Sequence, residues 1–146
     1  MLAAFDPGES TGMVKCELTC LTGDLWQPAI QVDTILWPEG AADIRDTTLD
    51  ADIVIVEDFR VRDKEAKSII GDRLWSAEVT GWIVGTLTAL PSSRELVMQA
   101  PLCKDFCSPH MVCKRLSFWP TFDKKGKAIA SHEGDALLHL LYYLSK

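Results

Sequence analysis

The apolar and polar positions fall into a series of short blocks separated by turn residues. Leu2–Asp6 is an apolar run that ends in an acid and then Pro7-Gly8, which predicts a buried strand followed by a turn. Thr11–Leu18 alternates apolar and polar and predicts a second strand, forming a hairpin with the first. Ala29–Trp37 alternates in the same way and extends the meander, with Gly23-Asp24 supplying a turn. Pro38-Glu39-Gly40 breaks that strand, and Ala41–Leu49 is a short helix candidate. Ile53–Glu57 (IVIVE) carries four β-branched residues in a row before its acid, the pattern of a central parallel strand covered on both faces.

A long helical region is predicted from about Lys64 to Leu90, with Leu74, Ala77, Gly81, Trp82, Gly85 and Leu87 near helical spacing, and Pro91-Ser92-Ser93 stops it. Leu96–Ala100 reads as a fifth strand, Asp105–Leu116 as a short helix and His132–Leu144 as the closing helix. The order is three meandering strands, helix, strand, helix, strand and final helix. It defines an α/β fold, a mixed five-stranded sheet with helices on its faces.

Composition narrows this picture. A chain of 146 residues with 47% apolar and 25% charged residues fits a single soluble domain, 1–146. With 15 Lys+Arg against 21 Asp+Glu the formal charge is -6, which excludes a simple basic DNA-coating module. It is compatible with a nucleic-acid enzyme that holds divalent cations. The longest uncharged stretch, Val79 to Ser93, contains Gly, Pro and hydroxyl residues and is shorter than the roughly 20 apolar residues of a membrane span, so no membrane association is expected. Five cysteines, an odd number, and no signal-peptide pattern at the start lead us to expect a reducing, cytoplasmic location.

Three acids stand where acids are expensive. Asp6 ends the first apolar strand, Glu57 ends the most apolar one, and Asp135 lies in the first turn of an apolar helix. Strand alternation puts Asp6 on the face of Leu2 and Ala4, and Glu57 on the face of Ile53 and Ile55. If these strands are parallel neighbours, both carboxylates emerge at one edge, and the last helix has only to cross that edge to bring Asp135 to them. Such a cluster repels itself unless cations relieve it, and oxygen donors suit Mg²⁺ and Mn²⁺. Two such ions about 4 Å apart are a known arrangement for phosphodiester cleavage. His132, one helical turn before Asp135, is a candidate fourth ligand or proton carrier, and His139, four residues after it, a candidate to orient that carboxylate. Each acid taken alone also fits a cap or a surface ion partner.

These residues resemble a known family. Phe5-Asp6-Pro7-Gly8-Glu9-Ser10-Thr11-Gly12 is similar to the D-P-G-x-x-x-G start of RuvC-type Holliday-junction resolvases. Ile53-Val54-Ile55-Val56-Glu57 resembles their second acidic strand, and His132-Glu133-Gly134-Asp135-Ala136 their terminal H/D-x-x-D-A helix. The resemblance spans nearly the whole chain, in order. It implies an RNase H-like fold, a homodimer, and Mg²⁺- or Mn²⁺-dependent paired nicking of four-way DNA junctions. It also implies that Asp6, Glu57, His132 and Asp135 are the catalytic and metal-binding residues, around two cations. A phage-encoded member would act in the host cytoplasm.

The chain is more acidic than that family usually is, so phosphate contacts would come from local patches. Candidate DNA-binding residues are Arg60, Arg62 and Lys64 after Glu57, then Lys104, then Lys124 and Lys125, each open to reading as a solvated charge. Phe59 fits either a core position or an aromatic that probes the junction. Cys103, Cys107, His110 and Cys113 offer zinc-type donors without a zinc-site spacing. Gly81 and Gly85, with Leu74, Trp82 and Leu87, suit a dimer face or a packed face within one subunit. The five Trp residues are expected mostly in the core. An alternative reading keeps the fold and changes the substrate to a flap, R-loop or RNA–DNA hybrid. An actin-like phosphate binder normally needs two such domains, and a catalytically silent junction-binding protein would have no need of all three acids.

Overall fold

A computed structural model describes residues 1–17, 30–59, 74–89, 94–102 and 132–146. Within them the order is β1 (Leu2–Asp6), β2 (Ser10–Cys16), β3 (Ile30–Leu36), α1 (Ala41–Asp50), β4 (Ile53–Glu57), α2 (Trp75–Thr88), β5 (Glu95–Gln99) and α3 (His132–Leu144). The five strands form one sheet in the order β3-β2-β1-β4-β5. The β1–β2 and β2–β3 pairs are antiparallel, and β1–β4 and β4–β5 are parallel. This is the expected α/β mixed sheet, with the meander first and the parallel strands after it.

The sheet lies between two helical layers. Leu2, Ala4, Val14 and Ile55 point to one face and pack with Ala136, Leu137 and Leu140 of α3. Ala3, Phe5, Val54 and Val56 point to the other and pack with Ile44 of α1 and with Val79 and Ile83 of α2. That double cover explains why β1 and β4 are apolar at successive positions, whereas β3, at the sheet edge, alternates.

The turn between β1 and β2 is fixed locally. The Thr11 hydroxyl donates to the Gly8 carbonyl at 2.8 Å, and the Gly8 N–H donates back to Thr11 Oγ1 at 3.3 Å. Gly12 then permits a close crossing. A Cβ built there would stand 1.9 Å from the His132 carbonyl oxygen, so the first turn of α3 rests directly on the β2 backbone.

Among the described residues, the glycine stripe of α2 is not packed within the subunit, one of the two placements open to it. Its buried residues are Val79 and Ile83, four apart, while Gly81 and Gly85 are exposed and a Cβ at either would meet nothing within 4 Å. The β-branched pair Val79 and Ile83 packs in the cluster with Val54 and Val56, with Leu87 partly buried against it. Trp82 is 42% exposed, outside the core predicted for it. It packs edge-on against Trp37, ring centroids 5.9 Å apart, and its indole N–H donates to the Ala41 carbonyl at 3.1 Å. Trp37 and Trp75 are half-buried, and Trp26 and Trp119 lie outside the described residues. So do the expected helix at 105–116 and the start of the one at 64–90. Among the described residues no helix is long and apolar enough to cross a membrane.

Candidate metal centre

Strand register places the two strand-end acids side by side. In the β1–β4 ladder Phe5 is level with Val56, so Asp6 and Glu57 are the next residues along two parallel neighbours. Both therefore leave the sheet at the same edge and on the α3 side. Asp6 is only 6% exposed and Glu57 is half-buried. Carboxylates this enclosed need donors or cations around them.

Helix α3 brings the nitrogen atoms. It packs against β1, β2 and β4, with its N-terminus over Gly12. His132, half-exposed in the first turn, meets Asp6 with Nδ1 and Oδ2 2.6 Å apart. His139, two turns further on, is fully buried, and its Nε2 lies 3.1 Å from Glu57 Oε2. The other ring nitrogen, Nδ1, lies 2.9 Å from Oε1 of Gln99, the last residue of β5. The ligand atoms of Asp6, Glu57 and His139 all fall within 4.8 Å of one another. That spacing suits a divalent cation between the two carboxylates, with the imidazole close enough to ligate it or to hold a carboxylate in place.

The other expected site residues are placed as follows. Asp135 is half-buried on α3, on the face it shares with His132 and His139, and stands outside the tight three-residue group. Glu133 points away, accepting from the Thr34 hydroxyl on β3 at 2.5 Å. Phe59 is 38% exposed just past Glu57, a surface position and not a core one. Arg60, Arg62, Lys64, Lys104, Lys124 and Lys125 lie outside the described residues, as does the Cys103–Cys113 cluster.

His139 corrects one expectation. It was expected to orient Asp135, four residues back on its own helix. Both its ring nitrogens instead engage other strands, β4 through Glu57 and β5 through Gln99. Gln99 itself was not anticipated. A signal did exist: a polar residue ending an apolar strand at the same edge as Glu57, one strand further out.

A sheet of this order and polarity, with acids at the ends of β1 and β4 under a C-terminal helix, defines the RNase H-like architecture. Among solved structures the chain is similar to RuvC of T. thermophilus in complex with a Holliday junction substrate, with a TM-score of 0.58 and 20% identity over 99% of this chain and 94% of that one. At that identity the likeness is one of fold. No family model matches the chain, and no curated protein does.

Proposed function

We propose that this chain is a single-domain, metal-dependent, structure-selective endonuclease that resolves four-way DNA junctions by paired nicks. The observation that carries the reading is the meeting of Asp6, Glu57 and His139 within 4.8 Å at the C-terminal edge of an RNase H-like sheet. The fold likeness to a resolvase bound to its junction supports the substrate class.

In this reading Asp6 and Glu57 hold divalent cations, Mg²⁺ or Mn²⁺, with Asp135 and His132 completing the site from α3. The cations would supply Lewis acidity, making water nucleophilic near neutral pH and stabilising the departing 3′ oxygen. The chain's own residues set the stage for that chemistry. Asp6, enclosed at the end of β1, fixes one carboxylate at a rigid strand terminus. His132 is half-exposed and within hydrogen-bond reach of Asp6, so its ring can hold that carboxylate's orientation or carry a proton to solvent. Phe59, exposed two residues past Glu57, is offered to the DNA as a stacking surface. Arg60, Arg62, Lys64, Lys104, Lys124 and Lys125 are the proposed phosphate contacts, reading charge and shape more than sequence.

A two-fold substrate calls for two copies of the site, and we assign the homodimer contact to the exposed Gly81–Trp82–Gly85 stripe of α2. The test is cleavage of labelled four-way, flap and RNA–DNA hybrid substrates in Mg²⁺ and in Mn²⁺. Paired symmetrical nicks confined to the four-way junction are expected. Preferential cutting of flap or hybrid would move the chain to a different RNase H-like activity, and no cutting of any substrate would refute the nuclease.

A further inference from the structure

Among the described residues, the buried ring of His139 is a firmly placed group at this edge that the expected catalytic set leaves unused. Glu57 and Gln99 are direct partners in the parallel β4–β5 register, so their side chains leave the sheet on the same side. The pairing continues past the strand end, where the Asp58 N–H donates to the Gln99 carbonyl at 2.6 Å. His139 reaches both side chains from α3, Nδ1 at 2.9 Å from Gln99 and Nε2 at 3.1 Å from Glu57. Its ring is fully buried and Gln99 is 4% exposed, so neither group can exchange these contacts for water.

The protons can be assigned from the donor and acceptor count. A neutral imidazole has one N–H and one lone pair, and a carboxylate only accepts. Nε2 facing Glu57 then carries the proton, and in the neutral ring Nδ1 accepts. Gln99 can donate to Nδ1 once its amide is turned so that Nε2 faces the ring. With Oε1 facing the ring, Gln99 Nε2 is buried with no partner among the described residues. The half-turn satisfies that donor, and the two orientations of an amide differ only in which atom is O and which is N.

We propose that His139 is a positioning residue: anchored by Gln99 on β5, it donates from Nε2 to Glu57 Oε2 and holds that carboxylate in the orientation that receives the cation. This rests on the reading of Glu57 as a metal ligand. The relay ties three elements, β4, β5 and α3, to one oxygen atom. Outer partners of this kind commonly govern metal affinity by 10- to 100-fold.

The test uses the full chain without DNA and Mn²⁺ alone as the probe, with free Mn²⁺ read by electron paramagnetic resonance. Gln99→Leu and His139→Leu should each weaken Mn²⁺ binding by about 10- to 100-fold, and the double variant no more than the worse single one. His139→Gln, whose amide can still donate to Glu57, should recover most of the affinity, which an amide replacing a true imidazole ligand would not. On the unaltered protein, ¹⁵N spectra of the metal-free His139 ring should show the proton on Nε2 and the lone pair on Nδ1. That measurement holds even if a variant fails to fold. The proposal is overturned by wild-type Mn²⁺ affinity in Gln99→Leu, by a proton on Nδ1 alone, by equal losses in His139→Gln and His139→Leu, or by a wild-type chain that binds no Mn²⁺. A chain that binds Mn²⁺ with this pattern yet leaves four-way junctions uncut would refute the nuclease reading and uphold the relay.

Discussion

Substituting Gly12 with alanine tests whether the start of α3 positions the site. Gly12 pairs with Asp6 across the β1–β2 ladder and lies under the first turn of the helix. The added methyl would stand 1.9 Å from the His132 carbonyl oxygen, 2.0 Å from its carbon and 2.5 Å from the Glu133 nitrogen. These are backbone atoms, so no rotamer change relieves the overlap. Restoring ordinary contact requires the helix N-terminus to withdraw by roughly 1.5 Å, and interiors packed to crystal density resist that. Overpacking of this kind costs about 1–3 kcal/mol of stability. A displacement of ~1 Å at a catalytic constellation costs ~100-fold in rate, or about 2.7 kcal/mol of barrier. The assay is single-turnover nicking of a labelled four-way junction in saturating Mg²⁺, beside thermal unfolding. Gly8→Ala is the control, because its Cβ would meet nothing closer than the Ser10 carbonyl oxygen at 3.2 Å and lies 3.7 Å from the His132 ring. Gly12→Ala should melt several degrees lower and cut about 100-fold more slowly, and Gly8→Ala should change far less. Wild-type melting and wild-type nicking in Gly12→Ala would refute the reasoning. A lower melting temperature with an unchanged rate would show that the helix start does not position the site.

Further outcomes are expected. His132→Gln should slow nicking by about 10- to 100-fold through loss of the 2.6 Å contact to Asp6, measured at fixed Mg²⁺. Removing divalent cations with EDTA should stop cleavage and leave junction binding by gel shift intact, and added Mn²⁺ or Mg²⁺ should restore it. Ile83→Ala, at a fully buried position, should destabilise the fold by about 2–5 kcal/mol in denaturant titration. Trp82→Ala should instead shift sedimentation toward a single copy.

The sheet was legible because its strands bury different amounts of surface. β1 and β4 are apolar at successive residues, β3 mixes apolar and polar ones, and turn residues separate the strands, so a meander followed by covered strands could be read. The adjacency of Asp6 and Glu57 followed from alternation once the strands were taken as parallel neighbours, which the register bears out. The role of His139 did not follow. Helical spacing links it to Asp135 on its own helix, whereas its partners are fixed by how α3 lies across β4 and β5, a tertiary relation with no periodicity in sequence. The face of α2 was left open for a related reason. Glycines and a tryptophan at helical spacing fit either a dimer face or a face packed within one subunit, and only the tertiary arrangement gives the sheet to Val79 and Ile83.

Cleavage of a labelled four-way junction by wild type, Asp6→Asn and Glu57→Gln, with junction binding measured on the same samples, tests the central claim most directly. The account predicts paired nicks by wild type in Mg²⁺, no nicks by either variant, and binding retained by all three. Cutting by Asp6→Asn at the wild-type rate would contradict it.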